Sequence, residues 1–490
     1  MRAFVNGSIG PPFRAAGVLV EGDRIATVAP DDTIRALARE RGAEIVDLER
    51  GTLLPGFQDA HVHLYLAGQH EARLDLAAAR SIAEVEREVR AFAARESAPV
   101  LYAFGLDESQ LLEKRLPTRD ELSDVAGDRP LVVFRACRHV AVLNGRALEK
   151  VPAEFALVDR MTGRIEEDSL FRLEKEVFVP STEERRRWIR QGEEKAFSLG
   201  ITTVHEIKGA AVAEAYRAMA ADGSLRLRVF YFLYGEWEEA LRARDRFAGL
   251  PIHFGGYKIF ADGTIGAETA AVHEPYAGGG RGSLMWDDQD LKALFMKAAR
   301  AEMPVMCHAI GDRAIDQLLR VRLEAGGSIP FLRMEHVEML REKSLADVVR
   351  GGWKLCLQPN FAHQWQGAGG FYETRLGQER ARSMNRIRSW HDAGVPVAFG
   401  SDGMPIDPLY GMRSAMEHPN PEERFDWEDA FSLYSRAPES FVQGGGDAGA
   451  IAEGMRADLN WVRVPHQEIQ AMRTEDIRLT LAGGEVVHER

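Results

Sequence analysis

The chain has 490 residues, of which 45% are hydrophobic and 28% charged, a composition typical of a globular protein with a large buried core. Its net charge of -13 disfavours nucleic acid and anionic membrane surfaces as partners. No apolar run approaches the ~20 residues that span a bilayer, and the N-terminus lacks the apolar stretch of a signal peptide, so we expect a cytoplasmic protein.

Both ends of the chain have the pattern of short β-strands. FVNGSI, GVLVEGDRIATVA and AEIVDLERGTLL alternate apolar and polar residues near the N-terminus. GMRADLNWVRV and IRLTLAGGEVVHER do the same near the C-terminus, with a turn at Gly483-Gly484. Strand fragments at opposite ends of a chain predict one small β domain that is built from both termini, residues 1–52 plus 446–490.

Between these ends the pattern changes to strands that alternate with helices. Eight apolar strand candidates follow one another: TLLPGFQDA, ITTVHEI, LRLRVFYFLY, GGYKIFADG, MPVMCHA, FLRMEHV, WKLCLQP and VPVAFGSD. Helical stretches separate most of them, and in residues 290–301 the apolar positions Leu291, Leu294, Phe295 and Ala298 share one face. This order predicts an α/β fold, a (β/α)₈ TIM-like barrel over residues 53–445.

One connection in this barrel is unusually long. Roughly 130 residues separate the first two strand candidates, too many for a simple loop. The segment has its own strands, VLYAFGL and PLVVFRAC, and its own helix, with Ile82, Val85, Val89 and Phe92 at helical spacing. It predicts an inserted cap subdomain of about residues 68–182 over the barrel mouth.

The first chemical signal is the run Asp59-Ala60-His61-Val62-His63 at the end of the first barrel strand. Because the side chains of a strand alternate between its two sides, His61 and His63 point the same way. Two imidazoles at this spacing can chelate one divalent ion.

Further candidate ligands occupy the same edge of the predicted barrel. His308 ends MPVMCH, His336 ends FLRMEH, Asp402 ends VAFGSD, and Lys258 lies within GGYKIFADG. The C-terminal ends of the strands form the face on which barrels build their active sites. Four imidazoles and a carboxylate suit Zn²⁺ and leave Fe²⁺, Mn²⁺ and Co²⁺ open.

In this order, PGFQDAHVHL, KIFADGTIG, CHAIGDRAID, EH and FGSDGMPIDP resemble the amidohydrolase superfamily. They are most similar to its amidohydrolase-3 branch, which includes N-substituted formamide deformylases. GAIAEGMRADLNWV is similar to a strand of that family's accessory β-sandwich. The resemblance covers nearly the whole chain and is weakest in the insert. It implies that the small terminal domain is a β-sandwich.

The resemblance also implies a site for two divalent metal ions, with zinc as the expected metal. His61, His63 and Asp402 would bind the more buried ion, and His308 and His336 would bind the second. Lys258 would bridge the two ions as a carboxylated lysine. An ammonium group has no lone pair for this role, whereas the neutral amine that burial favours can react with CO₂.

These roles imply an enzyme that hydrolyses a carbon–nitrogen bond other than a peptide bond, through a metal-activated hydroxide. The expected substrate is a small molecule with an amide-like bond, such as an N-substituted formamide or an N-acyl amine. Asp402 would be the catalytic residue, which accepts the proton of the attacking water and passes it to the leaving amine.

Three more residues are predicted to contact the substrate. His205 and Glu206 end the second barrel strand, where many relatives have His-Asp, and His139 lies in the insert's FRACRHVAVLN. The longer side chain of Glu206 displaces its carboxylate from the position of the aspartate. Glu335 precedes His336 and, by strand alternation, should point away from it.

Two alternative functions remain open. A mononuclear aminohydrolase that deaminates a cyclic amidine or heterocycle would need His61, His63, His308 and Asp402, with His336 as a proton donor; Lys258 disfavours it. A non-catalytic scaffold protein that keeps the barrel should lose ligands, whereas this chain has all six. If the chain forms an oligomer, a homodimer is the expected assembly.

Overall fold

The computed structural model describes residues 1–137 and 139–490. Eight strands form one parallel sheet, in which each strand pairs with its neighbours in the sequence. They are β1 (Phe57–Val62), β2 (Ile201–Lys208), β3 (Arg228–Leu233), β4 (His253–Phe260), β5 (Val305–Ala309), β6 (Arg333–His336), β7 (Lys354–Leu357) and β8 (Val397–Phe399). Each of the eight overlaps its strand candidate, although β1, β2 and β4 extend one or two residues beyond theirs, and the predicted (β/α)₈ barrel is confirmed.

Hydrogen bonds between the ends of β1 and β8 bring the two edges of this sheet together. The Asp402 amide donates to the carbonyl oxygen of His61 at 2.7 Å, and the Ser401 amide donates to Asp59 Oδ1 at 2.9 Å. A Cβ atom on Gly400 would lie 2.4 Å from the His61 amide nitrogen, so this approach requires glycine. The closure therefore places His61 beside Asp402 at the rim of the barrel.

Helices fill the connections after the strands, as the alternating pattern predicted. The helix Asp288–Arg300 buries Leu291, Leu294, Phe295 and Ala298, the four residues that were expected to share its inner face. The other helices of the barrel region are Thr182–Ser198, Ala210–Ala221, Trp237–Phe247, Asp312–Ala325, Leu345–Gly351, Pro359–Trp365, Phe371–Leu376, Gln378–Arg382, Ile387–Asp392, Pro408–Met416 and Trp427–Leu433, with 3₁₀ turns at Glu342–Ser344, Pro421–Glu423 and Ala437–Phe441.

The two termini pair in a common sheet. In it, Leu459–Val462 runs antiparallel to Thr52–Pro55, with Trp461 opposite Leu53. The order of this sheet is Glu485–Glu489, Ile477–Ala482, Leu459–Val462, Thr52–Pro55, Ser8–Ile9 and Arg14–Ala15. A second sheet has the order Arg24–Ala29, Gly17–Glu21, Arg2–Val5 and Glu44–Asp47, and the helix Asp31–Arg41 and 3₁₀ turns at His466–Ala471 and Thr474–Asp476 complete the terminal segments.

Apolar side chains from both terminal sheets, including Phe4, Val18, Leu53 and Leu459, share one buried cluster. The predicted strand TLLPGFQDA divides at Gly56: its first part joins the terminal sheet and its second part is β1. A Cβ on Gly56 would lie 2.3 Å from Thr202 Oγ1, so the chain passes between the two sheets at a glycine. Residues 1–64 and 193–490 form one compact unit, and the predicted limit between sandwich and barrel stays a prediction.

Residues 65–192 form a second compact unit. Its sheet has the order Val158–Asp159, Arg164–Glu166, Val140–Leu143, Leu131–Arg135, Leu101–Leu106 and Leu74–Asp75. Its helices are Ile82–Arg95, Arg119–Ala126, Gly145–Leu148, Glu167–Arg172 and the π-helical turn Leu173–Val177, while Leu64–Glu71 leads into it. Ile82, Val85, Val89 and Phe92 are buried in its core, as their spacing predicted.

The helices of the described residues all fall short of the length and apolarity that a membrane crossing requires.

Candidate metal centre

The six predicted ligands lie on one cavity of about 380 Å³ at the C-terminal ends of the barrel strands. They are His61, His63, Lys258, His308, His336 and Asp402. Because strands β1, β4, β5 and β6 are parallel, their C-terminal ends meet at one rim, and the turn after β8 adds Asp402.

His61, His63 and Asp402 form the tightest group in this cavity. His61 Nε2 and His63 Nε2 lie 3.4 Å and 3.1 Å from Asp402 Oδ1. The other ring nitrogen of each histidine makes a hydrogen bond that fixes the orientation of the ring. His61 Nδ1 donates to Glu335 Oε2 at 2.5 Å, and His63 Nδ1 donates to the Ile207 carbonyl oxygen at 3.1 Å. Both Nε2 atoms therefore face the carboxylate, in an arrangement that could hold a metal ion.

His308 and His336 form the other side of the group, with ring centroids 4.6 Å apart. His336 Nδ1 donates to Gln358 Oε1 at 2.8 Å, and His308 Nε2 donates to the Gly263 carbonyl oxygen at 2.9 Å. These bonds leave Nε2 of His336 and Nδ1 of His308 as the nitrogens available for metal binding. The His336 ring also lies 4.9 Å from that of His61, so the two histidine groups adjoin.

Two of these residues have unusual backbone conformations. His336 and Asp402 have φ angles of 69° and 53°, in the left-handed region that non-glycine residues seldom adopt. Such conformations persist where the surrounding structure enforces them, and they concentrate at functional sites. At His336 the left-handed turn also ends the alternation of β6.

Glu335, which strand alternation predicts to point away from His336, contacts another of the predicted ligands, His61. Its side chain is fully buried and accepts a hydrogen bond from His61, while His336 lines the same cavity. Strand alternation assumes an extended backbone, and the left-handed φ of His336 breaks that condition at this position.

Glu335 belongs to a buried network that the sequence analysis missed. Arg333 Nε donates to Glu335 Oε1 at 2.7 Å, and Arg333 Nη2 donates to the Ala60 carbonyl oxygen at 2.6 Å. Although burial opposes ionisation of Glu335, Arg333 holds the pKa of this carboxyl well below its ordinary value. The guanidinium thus fixes both the backbone of β1 and the carboxylate behind His61. The sequence did contain a signal for this network, because Arg333 and Glu335 are two charged residues in the otherwise apolar strand FLRMEH.

Lys258 is the chemically unusual member of the group. Its side chain is buried, and burial lowers the pKa of its amine to about 8. Among the described residues, none accepts a hydrogen bond from Nζ. A buried ammonium group without a hydrogen-bond acceptor is energetically costly, so burial favours the neutral amine. After reaction with CO₂ this amine would become an anionic carbamate, which can bind metal. This orphaned amine, four imidazoles and a carboxylate fit divalent metal.

Of the predicted substrate contacts, His205 lies in the barrel interior and not among the residues that line the cavity. Its Nδ1 accepts a hydrogen bond from Arg333 Nη1 at 2.8 Å, and its ring packs against Phe230 and Phe232. Burial holds the pKa of His205 well below its ordinary value, so a neutral imidazole accepts this bond. These contacts favour a structural role over substrate binding.

Glu206 is likewise not among the residues that line the cavity. Glu206 is buried and its Oε2 accepts a hydrogen bond from the Leu64 amide at 2.6 Å, which anchors the backbone just after His63. His139 is exposed in the unit 65–192, with Nδ1 at 3.1 Å from Glu167 Oε2. Its neighbour Arg138 lies outside the described residues. The substrate contact of His139 stays a prediction.

The sequence and the fold are similar to those of known proteins. A family model described as the amidohydrolase family matches residues 44–488. The Bacillus subtilis protein YtcJ is 26% identical over 96% of this chain and 98% of its own length. The N-substituted formamide deformylase of Arthrobacter pascens is 26% identical over 91% of this chain and 89% of its own.

Among solved structures, an uncharacterized metal-dependent hydrolase from Pyrococcus furiosus superimposes with a TM-score of 0.81 and 27% identity. The match covers 94% of this chain and 98% of that one. The ligand set and these relatives identify an enzyme that acts on carbon–nitrogen bonds and depends on a divalent metal. The chain belongs to the amidohydrolase family.

Proposed function

We propose that the protein hydrolyses an amide-like bond in a small molecule, an N-substituted formamide or N-acyl amine, with two zinc ions in the cavity. The observation that carries this proposal is the convergence of six potential ligands on one cavity, one of them the buried amine of Lys258. The similarity to a relative named as an N-substituted formamide deformylase supports the choice of substrate.

In this proposal His61, His63 and Asp402 would hold one ion, His308 and His336 would hold the other, and Lys258 in its carboxylated form would be a ligand that the two ions share. When bound, the metal would supply Lewis-acid activation of a water molecule and of the substrate carbonyl.

Asp402 is placed to move the proton that hydrolysis requires. Burial opposes its ionisation, but the neighbouring imidazoles of His61 and His63 hold the pKa of its carboxyl well below its ordinary value. Asp402 is therefore a carboxylate at neutral pH, lies at the rim of the cavity and can accept a proton from water there. The same group then returns this proton to the nitrogen of the departing amine.

The experiment that tests the proposal is metal analysis of protein reconstituted with zinc and bicarbonate, together with assays on N-formyl and N-acetyl amines. We expect close to two zinc ions per chain and release of the free amine. One ion per chain, with ammonia released from amidines or heterocycles, would favour the single-metal aminohydrolase instead. If the protein binds no metal under these conditions, both enzymatic functions are contradicted and the non-catalytic scaffold becomes the favoured alternative.

Lys258→Ala is expected to lower both the metal content and the hydrolytic rate, the rate by at least ~100-fold, because the anionic ligand between the two ions is lost. A short carboxylic acid such as formate or acetate should restore part of the rate by supplying a replacement carboxylate. Lys354→Ala is the matched control, because Lys354 also lies on a barrel strand but donates to the Ser440 carbonyl oxygen and does not line the cavity. Full activity in Lys258→Ala without added acid would remove this lysine from the centre.

Glu335→Gln is expected to weaken zinc binding by ~10–100-fold, because a neutral amide orients His61 less strongly than the carboxylate does. The measurement is a competition titration against a zinc chelator. Glu439→Gln is the matched control: Glu439 is also a buried partner of an arginine, with Oε1 2.6 Å from Arg228 Nη1, and the cavity lining does not include it. Equal losses in both variants would show a general effect of broken ion pairs.

A further inference from the structure

The wall of the cavity beyond the ligands is apolar and mostly aromatic. It includes Phe260, Ile265, Phe361, Trp365, Phe371 and Met404. Phe371 and Met404 are both 41% exposed, although side chains of this kind are usually buried. Large apolar residues that stay exposed beside a concave site are typical of surfaces that bind an apolar ligand.

Two helices contribute three of these aromatic residues of the wall, and Phe260 at the end of β4 is the fourth. Pro359–Trp365 contributes Phe361 and Trp365, whose ring centroids lie 4.7 Å apart, and Phe361 stacks at an angle of 7° on the ring of His336. Phe371 begins the next helix, Phe371–Leu376. A flat substrate group beside the metal ligands would therefore meet aromatic faces.

The charged residues around the cavity disfavour substrates that carry a carboxylate. Among the described lining residues, Lys258 is the only lysine or arginine, and the proposed function assigns it to the metal. Glu338 is the acidic lining residue besides Asp402; it is 2% exposed and accepts a hydrogen bond from the Tyr372 hydroxyl.

The arginine next to this wall is already paired. Arg375 lies over the Phe371 ring, 5.2 Å from its centroid, and its Nη1 is 3.0 Å from Glu268 Oε1. A carboxylate on the substrate would therefore lose water, and the described lining offers it no arginine, and no lysine besides Lys258, as a partner. N-acyl amino acids, which carry such a group beside the amide, do not suit this cavity.

We infer that the substrate carries an aromatic or similarly apolar group next to the scissile bond, and no carboxylate. The identity of the bond that is cleaved rests on the proposed function. The preference for neutral, apolar ligands over carboxylates follows from the residues of the wall alone. It narrows the substrates to neutral or amine-bearing apolar amides.

The test compares two compounds that differ only in the carboxylate: N-phenethylformamide and N-formylphenylalanine, with the zinc-reconstituted protein. We expect kcat/KM to be at least ~10-fold higher for the neutral compound, because unpaired buried charge is strongly disfavoured. Equal values, or a preference for the acid, would overturn the inference and leave the proposed hydrolysis intact.

A binding measurement separates the inference from the reaction. N-Phenethylmethanesulfonamide and N-methanesulfonylphenylalanine are a matched pair without a hydrolysable carbonyl, and calorimetry can give their dissociation constants. We expect the neutral sulfonamide to bind at least ~10-fold more tightly. If this preference holds while neither formamide is hydrolysed, the wall has the inferred specificity and the proposed reaction is wrong. If the acid binds as well as the neutral compound, the inference fails whatever the reaction.

A charge placed on the wall should change the preference. Phe371→Arg is expected to shift the ratio of the two kcat/KM values at least ~10-fold toward N-formylphenylalanine, because it supplies the missing cation. Met285→Arg is the matched control, since Met285 is a 58% exposed apolar residue outside the lining. Met404→Lys repeats the test if the first variant folds poorly. A ratio that shifts equally in the control, or in none of the variants, contradicts the inferred recognition.

Discussion

Asp402→Asn is expected to lower kcat by on the order of 10⁴-fold, the largest effect of any single change in this protein. An asparagine amide cannot accept the proton of the attacking water at neutral pH, and it removes the negative charge that faces His61 Nε2 and His63 Nε2. The measurement is kcat on N-phenethylformamide, or on any substrate that the wild-type protein turns over, with the zinc content determined in parallel. The fold should survive, because the side chain lies at the rim of the cavity and not in the hydrophobic core.

Asp407→Asn is the control for this variant. Asp407 follows five residues later in the same connection, but its carboxylate caps the helix Pro408–Met416 by accepting from the Leu409 and Tyr410 amides. Asparagine caps helices about as well as aspartate, so this change should leave kcat and stability nearly unaltered. Turnover at the wild-type rate in Asp402→Asn would exclude Asp402 as the proton acceptor.

Arg333→Met is expected to destabilise the protein by ~3–5 kcal/mol, because it removes one partner of a fully buried charged pair. The guanidinium has no exposed surface, and its loss leaves Glu335 Oε1 and the Ala60 carbonyl oxygen without the hydrogen bonds that Arg333 donates. Urea unfolding of the metal-free protein, followed by tryptophan fluorescence, measures this loss without a contribution from bound zinc.

A second variant distinguishes the unpaired charge from the lost packing. Arg333→Met combined with Glu335→Leu should recover a large part of the stability, since no buried charge remains unpaired. Zinc binding should stay weak in this double variant, because His61 still lacks its carboxylate. Arg320→Met is the surface control: its pair with Asp288 is about half exposed and should contribute less than ~1 kcal/mol. A loss in Arg333→Met no larger than in this control would show that the network does not stabilise the barrel.

The common location of the six candidate ligands could be predicted because it follows from local pattern and a general property of parallel barrels. His308, His336 and Asp402 end strand candidates, and parallel strands bring their C-terminal ends to one rim. The repeated alternation of apolar strand segments with amphipathic helical segments is enough to predict the barrel. His205, Glu206 and Glu335 could not be assigned in the same way. Whether a side chain near a strand end faces the cavity or the interior depends on the register between strands and on the local φ angle, as His336 shows.

The sequence by itself determined the order of the eight strands, the amphipathic helices between them and the identity of the six candidate ligands, because each is encoded in residues that are close in the chain. Only the tertiary structure decided which groups stand behind those ligands. The pairings of Glu335 with His61 and of Arg333 with Ala60 join β6 to β1, and the pairing of Gln358 with His336 joins the residue after β7 to β6. Such contacts arise from barrel closure and strand register, which depend on the packing of the whole sheet. The two residues of each pair therefore have no characteristic separation in the sequence by which the contact could be predicted.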